Sequence, residues 1–169
     1  PHWEAFAGAR WDTWSIDAAT IVNEYVNEAS ILANDADFLN GHAGLVYKPV
    51  PNASVYAALS SSSNPSGELV DGGGADYGSI TPQNQSLDPE RNRNYEIGTK
   101  WAVADGHLLL TAALFRTEKT NARVTTGAGS AAVTNLEGEQ RVDGIELGMA
   151  GNFGERLSLF GGYTWLDTE

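Results

Sequence analysis

The chain has no cysteine, a single methionine and only six prolines in 169 residues. Without cysteine there is no disulfide, no zinc–thiolate site and no thiol nucleophile. It also lacks any run of eighteen or more apolar residues, so it carries no membrane-spanning helix. No charged-then-apolar segment opens it, and no signal peptide is expected within these residues. Positive charge is scarce: 10 basic residues face 22 acidic ones, a formal net charge of -12. That balance argues against nucleic acid as a partner, which would need a basic footprint. His2, His42 and His107 lie far apart without ligand spacing, so no protein-bound metal site is expected. Gly72-Gly73-Gly74-Ala75-Asp76 is a single glycine/aspartate stretch without the repeat a calcium loop would show, and reads as a flexible loop. Gly127-Ala128-Gly129 is not followed by Lys-Ser/Thr and is no phosphate cradle. No catalytic residue is expected, and Glu96 and Glu146 read as hydrated or ion-paired wall residues.

What the chain does have is alternation. Seven stretches, about 2–16, 37–48, 53–61, 91–104, 107–118, 139–153 and 156–167, alternate apolar and polar residues at period two. In the fourth, Tyr95, Ile97, Thr99, Trp101 and Val103 share one face and Glu96, Gly98, Lys100 and Ala102 the other. The connections are sorted by length. Lys48-Pro49-Val50-Pro51-Asn52, Asp105-Gly106 and Gly154-Glu155 are short, whereas 17–36, 61–90 and 119–138 are long. Tight turns at one end and long polar loops at the other are the mark of a transmembrane β-barrel. A mean hydropathy of -0.29 does not oppose this, because barrel strands expose only alternate residues to lipid. Acids such as Glu24, Glu28, Asp35, Glu68, Asp71, Asp76 and Asp88 fall in the expected outer loops, where they keep the chain solvated.

The aromatics test this register. With the chain starting at the short-turn end, Trp3, Tyr47, Trp101 and Phe153 fall on the apolar face near the short turns. Trp11, Tyr95, Tyr163 and Trp165 fall on the same face near the long loops. Trp3 and Trp11 are eight residues apart, roughly 26 Å along a strand. At a tilt of about 40° this leaves on the order of 20 Å vertically, close to the apolar band between two aromatic girdles. The eight residues are therefore expected to form lipid-facing girdles, with outer-membrane lipid as a partner.

Several motifs go beyond class. Asp88-Pro89-Glu90 leading through Tyr95-Glu96-Ile97-Gly98-Thr99-Lys100-Trp101 resembles the "PE…YE-G-K" strand of TonB-dependent outer-membrane receptors. Leu114-Phe115-Arg116 with Glu118-Lys119-Thr120-Asn121-Ala122-Arg123 is similar to that family's next strand, and most like its catecholate-type siderophore receptors. Gly138 through Gly144-Ile145-Glu146, Gly161-Gly162-Tyr163-Thr164-Trp165-Leu166, Ala7-Gly8-Ala9-Arg10-Trp11-Asp12 and Gly44-Leu45-Val46-Tyr47-Lys48-Pro49 resemble further motifs of the family in the right order.

The resemblance implies an all-β, antiparallel barrel of about 22 strands closed around an N-terminal plug, located in the bacterial outer membrane. Residues 1–169 would supply about seven of those strands in a single barrel domain, as an internal fragment without plug or TonB box. Such a receptor is no enzyme. It would take up a ferric siderophore, driven by the TonB complex acting on the plug, with no resident cofactor and iron present only in the cargo. A receptor for another solute, such as a cobalamin or a glycan, remains open, as does a soluble carbohydrate-binding β-sandwich. Ferric catecholates are anionic, so the implied contacts are basic residues near the outer rim: Arg116, Lys119, Arg123 and Arg141. Arg116 continues the Leu108–Leu114 face, the wrong parity for the lumen unless a bulge turns it. Lys119 and Arg123 are the better candidates, and pairing with Glu118, Glu137 or Glu139 is the structural alternative for all four.

Overall fold

The computed structural model describes residues 2–23, 28–67, 80, 85–126, 133–154 and 156–169. They form one seven-stranded antiparallel sheet in simple chain order. The strands are β1 (Trp3–Asn23), β2 (Glu28–Val50), β3 (Ala53–Asn64), β4 (Glu90–Val103), β5 (Leu108–Thr126), β6 (Val133–Phe153) and β7 (Leu157–Thr168). Each neighbour is a hairpin partner, so only turn chemistry and face polarity are needed to specify the topology.

The turns at the lower end are tight. β2 and β3 are joined around Pro51-Asn52, with Val50 opposite Ala53. Between β4 and β5, Ala104 (φ 52) and Asp105 (φ 55) form a left-handed pair, and the Gly106 N–H bonds the Val103 carbonyl at 3.1 Å. This is the primed turn whose twist matches a hairpin. Gly106 (φ 85) takes the next left-handed position without a Cβ penalty.

Register fixes the faces. Leu45, Ala57, Ile97, Leu114 and Ile145 align across the sheet on one side, and all are exposed. The other side carries Glu4, His42, Glu96, Lys100, Glu146 and Lys119. The β3–β4 connection folds over this polar side: Trp14 Nε1 donates to the Ser66 carbonyl at 3.1 Å, and Asn34 Nδ2 to the Gln85 carbonyl at 2.8 Å. The polar face is therefore the inner one. Leu32, Asn34 and Phe38 are buried on this side of the sheet, near the carbonyls of that connection that Trp14 and Asn34 bond.

Register also gives the tilt. Trp3 pairs with Tyr47, which leads through Val55 to Thr99, yet the lower aromatic of β4 is Trp101, two residues nearer the short turns. Trp101 leads through Leu110 to Met149, and the lower aromatic of β6 is Phe153, four residues further on. The aromatic level slips six residues over five strand steps. At usual spacings that is about 20 Å against about 24 Å, a tilt of roughly 40°, inside the range of transmembrane barrels.

The long connections differ from expectation. Most of 17–36 is strand, since β1 runs to Asn23 and β2 starts at Glu28, so Asp35 is a strand residue. Likewise 119–138 is mostly the upper part of β5 and β6. The reason is an exchange of faces. Below Trp11 the outward residues of β1 are apolar, whereas above it Thr13, Ser15 and Asp17 point outward and Trp14 and Ile16 inward. Outside the membrane the outer face meets water and the inner face meets the folded-over connection. Only 61–90 is a long connection, between Asn64 and Glu90.

Candidate functional site

The inner wall at the long-loop end is built from alternate residues of β2 to β6. Ser62 stands opposite Asn92 and Asn94 opposite Thr117. Asn92 Nδ2 donates to Ser62 Oγ at 3.4 Å, and Thr117 Oγ1 donates to Asn94 Oδ1 at 2.9 Å. Asn92 in turn faces Lys119, which faces Gln140. The result is a strip of amides and hydroxyls with a cation at its edge, able both to donate and to accept hydrogen bonds. Lys119 Nζ lies 3.1 Å from Glu90 Oε2, whose carboxylate is buried where β4 begins. Lower on the wall, Tyr56 Oη donates to Glu96 Oε1 at 2.5 Å and Lys100 Nζ sits 5.4 Å from the Tyr56 ring centre. These groups form an ion-paired, hydrogen-bonded surface.

The four basic residues separate. Lys119 is on the inner wall. Arg116 is outward and holds Asp143 through two bonds, Nε at 2.6 Å and Nη2 at 3.0 Å. Arg141 is outward too, 3.2 Å from Asp143 and also paired with Glu169. The structure thus joins Arg116 and Arg141 around one carboxylate, on the face opposite Lys119. The bulge that could have turned Arg116 inward comes too late: the β5 register shifts after Lys119, at Asn121 (φ 56). Asn tolerates that left-handed conformation. Among the described residues Arg116 pairs with Asp143, Lys119 with Glu90, and Arg141 with Asp143 and Glu169. The Arg123 and Glu137 side chains, Gly72 to Asp76 and Gly127 to Gly129 lie outside the described residues.

The expected girdle residues Trp3, Trp11, Tyr47, Tyr95, Trp101, Phe153, Tyr163 and Trp165 are all exposed on the outward face. Trp3 and Tyr47, opposite each other, have ring centres 4.5 Å apart. The amide–hydroxyl strip was not among the expected site residues. Its signal was present in the period-two run of Asn92 and Asn94 and of Ser60 and Ser62.

A tilted antiparallel sheet, apolar outside and polar inside with aromatics at two levels, defines a sector of a transmembrane β-barrel wall. The chain belongs to the family described as TonB dependent receptor-like, beta-barrel, which matches residues 1–169. It is 40% identical over its whole length to the probable TonB-dependent siderophore receptor PiuA of Acinetobacter baumannii, of which it covers 22%. It is 35% identical to the catecholate siderophore receptor Fiu of Escherichia coli over 78% of this chain and 17% of that protein. The crystal structure of PiuA from Acinetobacter baumannii superposes with a TM-score of 0.88 at 38% identity, over 99% of this chain and 23% of the other. The chain thus spans about a fifth of the length of these relatives. The family comprises outer-membrane receptors and not enzymes, and this sheet is part of such a barrel.

Proposed function

We propose that the receptor to which this wall belongs takes up a ferric siderophore, of the catecholate class, across the outer membrane. The observation that carries the reading is whole-length identity to a probable siderophore receptor, joined to an inner wall that is polar at the loop end. The catecholate assignment draws on the similarity to Fiu. Uptake would be energised by the TonB complex acting on an N-terminal plug, and iron would pass through only as cargo, without a resident cofactor. Among the basic residues, Lys119 is the proposed ligand contact on the described inner wall, with Arg123 next on the same strand. Arg116 and Arg141, turned outward, would reach a ligand only over the rim.

The test is equilibrium binding to the full-length receptor. Ferric catecholates are expected to bind and Lys119→Met to weaken them by roughly ten-fold, the loss of one charge-assisted hydrogen bond. Cobalamin and neutral oligosaccharides are expected not to bind. Binding of an oligosaccharide in place of every ferric siderophore would make the amide–hydroxyl strip a glycan wall and end the iron assignment.

A further inference from the structure

The polar groups of the inner wall lie in two adjoining rows that run across the strands. In the upper row Gln140 faces Lys119, Lys119 faces Asn92 and Asn92 faces Ser62. On β2 the row continues in Asn40, which accepts a hydrogen bond from Ser63 Oγ at 2.9 Å and stands opposite Arg10 of β1. The row beneath runs through Thr117, Asn94, Ser60 and His42. Below both, Phe6, Gly44, Ala58 and Phe115 border the strip, with the carboxylate of Glu96 among them. The strip thus has a cation near each end.

The two cations are held differently. The Lys119 side chain is 20% exposed and pinned against the buried Glu90. That of Arg10 is 77% exposed, with Nε held 2.8 Å from the carboxylate of Asp12, two residues on along the same face. A guanidinium has five donors in a fixed fork, so one carboxylate orients it and leaves other donors to the lumen. Rows rise from β1 towards β6, because the aromatic level slips towards the short turns in that direction. The four strand spacings between Lys119 and Arg10 amount to about 19 Å, and at a tilt of roughly 40° they descend about 12 Å. Arg10, beside Trp11, stands at outer-girdle height, and Lys119 stands above it.

We infer that Arg10 is a second contact for the anionic cargo, set at the low end of an oblique polar track that starts at Lys119. The inference rests on the siderophore reading and adds a station to it. Cargo leaving Lys119 meets amides and hydroxyls that exchange hydrogen bonds with it at each strand spacing. It then meets a guanidinium whose fork matches paired anionic oxygens. Four strands apart, the two cations act in sequence, Lys119 in the bound state and Arg10 on the way down.

The test uses the full-length receptor in whole cells and the iron(III) tris-catecholate complex labelled with radioactive iron. Equilibrium binding and the rate of uptake at saturation are measured side by side. Arg10→Gln is expected to slow saturated uptake by roughly ten-fold, the loss of one charge-assisted contact, with its dissociation constant unchanged. Lys119→Met is expected to weaken binding instead. Arg10→Lys is expected to restore most of the rate, and a rate as low as that of Arg10→Gln would overturn the inference. Uptake by Arg10→Gln at the wild-type rate would overturn it too, as would binding weakened in step with Lys119→Met. Should Arg10→Gln fail to assemble, Asn40→Leu, which interrupts the track between the cations, is expected to slow uptake likewise, and a wild-type rate there would sink the track. A wild-type receptor that neither binds nor imports the complex would end the siderophore reading and this inference with it.

Discussion

Phe115 lies over Gly144, Phe6 over Gly44 and Tyr56 over Gly98, each an aromatic covering a glycine directly opposite it on the inner face. A glycine weakens a strand because it packs nothing, and a ring laid across it restores the lost contact. Here the arrangement gives the inner wall apolar cover at three points without a bulky residue on both strands. Gly144→Val would put methyl groups where the Phe115 ring lies and is expected to cost about 1–3 kcal/mol by overpacking. Denaturant unfolding of the full-length receptor in liposomes measures it, with Phe115→Ala in the same background relieving part of the loss. Gly98 was visible in the sequence as a small position on the polar face. The aromatic that covers it was not, because each such pair depends on a register that no local pattern carries. The same limit applied to Arg116: its parity was readable, but its partner Asp143 sits 27 residues away, on β6.

Strands β1, β2, β5 and β6 have 21, 23, 19 and 21 residues, about twice what a tilted strand needs to cross a bilayer. The excess stands above the membrane as two hairpins, and the first is strapped by the β3–β4 connection. Trp14 and Asn34 bond backbone carbonyls of that connection, and Ile16 lies against Gly67. Trp14→Ala removes both a hydrogen bond and the ring, and is expected to loosen the strap while leaving the membrane part intact. Limited proteolysis on whole cells should then cleave within 61–90 at least several-fold faster, with unchanged heat resistance of the barrel. Equal cleavage rates would mean that the connection is held by other contacts. The membrane-crossing segments were legible because lipid imposes one rule on alternate residues. The upper extensions were hidden because that rule reverses at the interface: Thr13, Ser15 and Asp17 facing water look like loop once the outward face is assumed to be apolar. A change of phase at Trp11 was the missed signal.

Across the whole sheet, the slip of the aromatic level and the strand spacing yield a tilt of roughly 40°, the value usual for transmembrane barrels and taken for the Trp3–Trp11 spacing. The sheet is open, and the β1 and β7 edges pair with nothing among the described residues. Hydrocarbon does not tolerate unpaired backbone, so this sheet is stable in a membrane only as a sector of a larger closed wall. In the proposed reading siderophore, plug and TonB would act on that larger object, of which the inner strip here is one part of the surface. Everything rests on the inside–outside assignment, and two substitutions three residues apart on β6 test it. Leu147 faces outward near mid-bilayer and Ala150 inward. In liposome unfolding of the full-length receptor, Leu147→Arg is expected to cost about 2–4 kcal/mol, while Ala150→Arg, facing a wet lumen, costs much less. Equal costs, or the larger cost at Ala150, would contradict the assignment and the barrel wall built on it.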